Sequence, residues 1–231
     1  NQLSAILNHE VNMYGLKDNV ARKAGTMGKE ENKEMEFWTQ EEFQAFLDCV
    51  ADKPISYYAF EMLYWTGIRE GELLALTPAD FNFEKKTLRI NKSYQRLEGK
   101  DVITDPKTPK SNRTIVMPDF LAVEMENFIS SLYGIKDDDR IFTISKSYLH
   151  HEMDRGAKLA GVKRIRIHGL RHSHISLLIN LGFSALAIGE RVGHEAVDIT
   201  YHYAHLFPTV QTDMAAQLET EREALVNVRK E

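Results

Sequence analysis

The chain has 231 residues, 43% of them hydrophobic and 27% charged, enough for one ordinary domain with a core of its own. A single cysteine excludes an internal disulfide and a cysteine-rich zinc site, and no run of eighteen apolar residues offers a transmembrane helix. The net charge of −5 gives no general attraction for nucleic acid, so any phosphate binding depends on where the positive charge sits.

Leu3, Ile6, Leu7, Val11 and Tyr14 recur at helical spacing, and this helix is expected to stop near Gly15. Residues 24–36 carry Gly25, Gly28 and many charges, the composition of a linker. The opening Asn-Gln-Leu-Ser is no signal peptide and has no initiating Met, so the chain reads as a fragment of a longer protein. Thr39 with Glu42 three residues later forms a capping-box pattern behind Phe37-Trp38 and predicts a helix to about Ala51. Cys49 falls on its apolar face, beside Phe46, Leu47 and Val50, and reads as a core residue. Pro54 can open the next helix, with Tyr57, Tyr58, Phe60, Met62, Leu63 and Trp65 packing inward until Gly67 ends it. A short helix from Glu70 to Leu76 follows.

The period then changes. Leu88 and Ile90 alternate with polar residues, and Ile115 to Met117 make a second β-rich run, which predicts an antiparallel sheet of two or three strands. Helices return over Asp119–Tyr133, Ser145–Ala160, Gly169–Leu181, Ala185–Val192 and Val197–His205, and a last one spans 210–228, with Val210, Met214, Leu218 and Leu225 on one face. The class is mainly α with a small antiparallel β-sheet (α+β).

Positive charge is concentrated. From Lys85 to Arg113 nine basic residues stand against three acids, a net of +6, and from Arg155 to Arg171 six basic residues stand against none. Lys92, Arg96, Lys110, Arg113, Arg164 and Arg166 are the DNA-contact candidates in these runs. Such runs are also what a solvated face looks like.

Five short segments could together build a site that holds a phosphate and attacks it. Guanidinium offers two parallel hydrogen bonds to two phosphate oxygens, which suits Arg69 and Arg171. Arg171 falls in the first turn of its expected helix, where backbone N–H groups add positive potential. A tyrosine hydroxyl is a slow nucleophile unless a base or a positive field helps it. His168 and His194 are candidates for that help. Lys107, in Pro106-Lys107-Thr108-Pro109 between β segments, could protonate a departing sugar oxygen. Lys110 rivals Lys107, and Tyr201 rivals Tyr203 as the attacking group; two residues apart on a helix, both cannot face one phosphate. His168, His172, His174, His202 and His205 crowd this region without forming a clear metal-ligand set.

These segments resemble the catalytic domain of the tyrosine recombinase (phage integrase) family, and look most like integrases of phages and integrative conjugative elements of Gram-positive bacteria. The resemblance covers about Phe37 to Phe207. It rests on Thr66-Gly-Ile-Arg69-Glu-Gly-Glu72-Leu-Leu-Ala-Leu76, Pro106-Lys107-Thr108, His168-Gly-Leu-Arg171-His172, Gly193-His194 and Tyr203-Ala-His-Leu. The family's nine-residue step from the glycine-preceded histidine favours Tyr203 over Tyr201. The resemblance implies that Arg69 and Arg171 stabilise the phosphate, Lys107 is the general acid, His168 the general base and His194 a hydrogen-bond donor to the phosphate. Tyr203 would attack, leaving a 3′-phosphotyrosyl link, and Glu72 would support the site structurally. It further implies no metal, no other cofactor and no membrane. The partner would be double-stranded DNA in the bacterial cytoplasm, with nucleoid association when bound. The protein would be a monomer when free and a homotetramer on two DNA sites, the last helix docking on a neighbour. Residues 1–26 would be the tail of an upstream core-binding domain, 27–36 a linker and 37–231 the catalytic domain. A catalytically silent DNA-binding regulator of the same fold, and a type IB topoisomerase-like nicking-closing enzyme, are the alternatives.

Overall fold

The computed structural model describes residues 2–24, 36–106, 111–193, 203, 218–220 and 222. Contacts divide the chain into two compact units, Asn1–Glu34 and Met35–Glu231. In the first unit, helix α1 (Gln2–Tyr14) ends before Gly15, whose φ is +73°, and α2 (Val20–Lys23) follows. The Asn19 side-chain amide donates to Ser4 O and Asn8 Oδ1, both at 2.8 Å, and ties the two helices together. Leu3 and Ile6 remain exposed. The expected linker falls almost wholly outside the described residues.

In the second unit the capping box forms as expected. Thr39 Oγ1 accepts from the Glu42 N–H, and the Glu42 carboxylate accepts from the Thr39 N–H at 2.9 Å, opening α3 (Gln40–Asp48). Cys49 is only half-buried and caps the end of α3, because the helix stops three residues short of the expected Ala51. Trp38 is buried, and its indole N–H donates to Lys163 O at 2.7 Å. Pro54 opens α4 (Pro54–Thr66), which buries residues around its whole circumference, from Ser56 and Ala59 to Tyr64 and Thr66. A helix apolar on all sides belongs at the centre of a domain. Accordingly α4 packs on α3, on α6 (Asp119–Ser131) and on α8 (Ile167–Asn180), while α7 (Lys146–Ala160) covers α3 and α8.

Between α4 and α6 lie α5 (Glu70–Leu73), a 3-10 turn (Pro78–Asp80) and the strands. Strand β2 (Thr87–Ile90) pairs antiparallel with β1 (Phe81–Asn82) on one side and β5 (Arg113–Val116) on the other. The alternation of Leu88 and Ile90 puts both on the core face, with Ile115 opposite Leu88. Beyond the expected sheet there is a separate hairpin, β3 (Ser93–Leu97) and β4 (Lys100–Thr104), whose two turn residues Glu98 and Gly99 have φ of +49° and +79°. Two positive φ values make the tight turn that suits the strand twist. The mainly helical class with a small antiparallel sheet holds, enlarged by this hairpin. Helix α9 (Ala185–Val192) has the expected bounds. Of the helices expected over 197–205 and 210–228, only Tyr203, residues 218–220 and residue 222 are described, all helical.

Glu61 on α4 is buried, and its pKa is pushed up to about 7, first by burial and then by the charge of Glu124 on α6. The folded protein therefore retains a proton that the unfolded chain releases at the ordinary carboxylate pKa, and stability falls as pH rises between the two values. Glu61→Gln should therefore stabilise the protein by at most about 3 kcal/mol at pH ~8 and by almost nothing at pH ~4. Urea unfolding at the two pH values checks this; an equal difference at both would contradict it.

Candidate active site

Two helices end here on left-handed glycines. Gly67 caps α4 at φ +65° and Gly193 caps α9 at φ +69°. At Gly67 a side chain is also sterically barred, since a Cβ would lie 2.6 Å from the His174 ring. The last carbonyls of a helix lack intrahelical donors and carry the negative end of its dipole. Guanidinium groups supply the donors. Arg171 donates to Gly67 O and Val192 O, and Arg69 Nη2 to Gly193 O at 3.2 Å. Arg113 Nε donates to Arg191 O at 2.9 Å, and Arg191 itself donates to Trp65 O at 3.3 Å and Val116 O at 3.0 Å.

Glu72 is the carboxylate among them. It receives Arg69 Nη1 at 2.8 Å and the Arg69 backbone N–H at 2.9 Å, and it receives Arg113 Nη2 at 2.9 Å. Burial alone would raise its pKa; the hydrogen bonds and charge of Arg113, with Arg69 behind them, override this and hold it below the usual carboxylate range. Arg113, expected to contact DNA, has a side chain only 6% exposed that is engaged by Glu72, so it works inside the fold. Lys92 also pairs with a buried carboxylate, its ammonium 2.6 Å from Asp80, but its side chain stays partly exposed and is among those lining the neighbouring cleft. Arg96 and Arg164 are exposed, each paired with a surface acid, Asp101 and Asp154. Arg166 is exposed at the N-cap of α8. A charge count along the chain cannot separate a buried ion pair from a phosphate contact.

A cleft of about 590 Å3 opens beside this cluster. Arg69, Glu72, Lys146, His168, Thr104 and Pro106 are among its lining residues. Gly71 is another lining residue, where a Cβ would meet Ser93 Oγ at 2.6 Å, so the glycine lets the β3–β4 hairpin close on α5. Helix α8 starts at Ile167, two residues ahead of expectation, which moves Arg171 from the first turn to the second and puts His168 in the first. Arg171 is 1% exposed. Burial, and next the neighbouring Arg69, lower its pKa to about 9, which leaves it cationic at neutral pH. Desolvation, then the charges of Arg171 and Arg69, lower the His168 pKa below its ordinary value.

Tyr203 lies in a small apolar cluster with Ile175, Ile179, Ile188 and Val192 and is 3% exposed. Its hydroxyl is hydrogen-bonded to His172 Nδ1, and the His172 ring meets the His168 ring edge-on at 4.8 Å. Burial raises the phenol above its ordinary pKa, and Arg171 opposes the rise. The structure thus brings together Arg69, Glu72, His168 and Arg171, with Tyr203 one imidazole away. Lys107, Lys110, His194 and Tyr201 lie outside the described residues, although Pro106 and Gly193, their neighbours in the chain, border the cleft and Arg69. Sequence reasoning does not single out His172 or Lys146 for the site; the i, i+4 spacing of His168 and His172 is the available signal for the first. His174 is a core residue: it is buried, and its Nε2 accepts from Arg191 Nε at 3.1 Å. Among the described residues no group of three His, Cys, Asp or Glu side chains is placed to hold a metal ion, and no helix is long and apolar enough to cross a membrane.

Removing one partner of a buried ion pair strands the other. Glu72→Ala and Arg113→Ala should each destabilise the protein by about 3 kcal/mol. The double variant should lose less than their sum by at least about 1 kcal/mol. Strict additivity in chemical denaturation would contradict the pairing.

The chain matches the model of the phage integrase family over residues 36–209. It is 32% identical over 217 residues to the ICEBs1 integrase of Bacillus subtilis (strain 168), an alignment covering 87% of this chain and 58% of that one. It is 31% identical over 179 residues to the integrase of Staphylococcus phage L54a, covering 70% and 51%. The chain therefore spans little more than half the length of these relatives. Among solved structures, the Tn1549 transposon integrase in complex with circular intermediate DNA superimposes with a TM-score of 0.71 at 21% identity, over 95% of this chain and 76% of that one. The catalytic domain of bacteriophage HP1 integrase does so with a TM-score of 0.57 at 20% identity, over 80% and 95%. Sequence match and fold agree with the site geometry: this chain belongs to the phage integrase family of tyrosine recombinases.

Proposed function

We propose that the chain carries the catalytic part of a site-specific DNA recombinase that cuts and rejoins strands through a 3′-phosphotyrosyl intermediate. The observation that carries this reading is the gathering of Arg69, Arg171 and His168 beside an open cleft, with Tyr203 held by His172 one turn further along α8. A phosphodiester resists nucleophiles because its transition state gathers negative charge, and preorganised cations in a water-poor site relieve that cost. Arg69 reaches the cleft with a side chain about one-third exposed, while Arg171 supports from behind. In this reading Tyr203 Oη attacks phosphorus, the phosphorus–O5′ bond breaks, and Lys107 delivers a proton to the departing oxygen. Pro106 lines the cleft, so Lys107 follows directly from its rim. His194 follows Gly193, whose carbonyl binds Arg69, and is assigned a hydrogen bond to the phosphate. The phosphotyrosyl ester keeps the energy of the diester it replaces, so a 5′-hydroxyl can reverse the step.

The substrate is double-stranded DNA, a reading supported by the fold shared with the Tn1549 integrase, which was solved in complex with circular intermediate DNA. Exposed Arg96, Arg164 and Arg166 are assigned to its backbone, with Lys110 beside Lys107. The assembly is a homotetramer across two sites, with the helix at 210–228 docking on a neighbour. Residues 1–26 are read as the tail of an upstream domain, which the exposed Leu3 and Ile6 of α1 support.

A nicked suicide duplex containing the DNA that flanks the coding region tests the reading. The wild-type chain and Tyr201→Phe should form a protein–DNA adduct that survives denaturation, and Tyr203→Phe should form none. An adduct with Tyr203→Phe would reject the assigned nucleophile.

A further inference from the structure

We infer that His172 is a further catalytic residue, the group that directly receives the phenolic proton of Tyr203. The inference deepens the strand-cleavage reading and rests on it. Its basis is placement. Among the described residues, the hydrogen-bond partner of the Tyr203 hydroxyl is His172 Nδ1. The tyrosine ring is wedged among Ile175, Ile179, Ile188 and Val192, which fixes the direction in which its hydroxyl points. His168 stands one turn before His172 on α8, faces the cleft, and touches the His172 ring edge-on at 4.8 Å and 89°. His172 is thus interposed between the phenol and His168.

The chemistry needs such an acceptor. A buried phenol ionises less readily than one in water. Arg171, next in sequence to His172, favours the phenolate but has no lone pair to take the proton. With its Nδ1 unprotonated, His172 accepts the Tyr203 O–H. As that bond breaks, the proton passes to Nδ1 and the oxygen lone pair forms the bond to phosphorus. The phosphorus–O5′ bond breaks, and the departing oxygen takes its proton from the assigned general acid. In the reverse step a 5′-hydroxyl attacks, the phosphorus–Tyr203 bond breaks, and His172 returns the proton to the phenolate. The general-base role that the family resemblance gives to His168 thereby passes to His172, and His168, at the cleft wall, is left to contact the phosphate.

The test is single-turnover adduct formation on the nicked suicide duplex, with DNA affinity and thermal unfolding measured alongside. His172→Ala should form adduct on the order of a hundredfold more slowly, the range of a lost general base, with DNA affinity and folding retained. Added imidazoles should restore the rate, and the restored rate should climb with the pKa of the imidazole supplied. His172→Gln keeps a hydrogen-bonding side chain of similar size without a titratable nitrogen, and should remain as slow. A wild-type rate in His172→Ala, full recovery in His172→Gln, or rescue indifferent to imidazole pKa would each overturn the assignment. Should His172→Ala not fold, the His172→Gln rate decides. A wild-type chain that forms no adduct would instead remove the strand-cleavage reading, and this inference with it.

Discussion

The site depends on the satisfaction of helix-end carbonyls by guanidinium groups. Helices α4 and α9 both stop at left-handed glycines and point unpaired carbonyls at the same region. Arg171 bridges the two ends, Arg69 binds the second, and Arg113 and Arg191 complete the set. Among the described residues, only Arg69 and Arg113 of the four guanidinium groups are paired with a carboxylate, Glu72, so the set carries a nominal excess of three positive charges. Carbonyl dipoles make such crowding tolerable without cancelling the charge. What remains is a positive centre, rigidly held, open to the cleft through Arg69 and His168. Such a centre is what the proposed phosphodiester substrate requires.

The same arrangement explains why stability and chemistry are hard to separate here. Glu72 holds Arg69 in place for the cleft and Arg113 in place for the fold. Tyr203, by contrast, belongs to a small apolar cluster apart from the main core. Small clusters open at lower free energy than large ones. The proposed nucleophile is thus buried in a cluster of this kind.

Local chemistry was legible in the sequence. The Thr39–Glu42 capping box, Pro54 at the start of α4 and Gly67 at its end appear where residue types alone place them, because caps and breakers act within a few residues. The clustered arginines Arg69 and Arg171 were legible as a pattern, through family resemblance more than through any one segment. The β3–β4 hairpin was not: its strands mix Tyr94 and Val102 with Gln95, Arg96, Lys100 and Asp101, and the polar content hid the alternation. The ion pairs of Arg113 and Lys92 were illegible for another reason, since their carboxylates, Glu72 and Asp80, are 41 and 12 positions away. The Tyr203–His172 bond spans 31 positions, beyond the reach of any local pattern.

The claim that these cations form one anion site is tested most directly by thermal unfolding of the DNA-free protein against increasing orthovanadate. A ligand that binds only the folded state raises Tm in step with its occupancy. The account predicts a saturable rise for the wild-type chain that is abolished in Arg69→Gln, apart from the small, non-saturating effect any excluded salt produces. An identical rise in both proteins would contradict it.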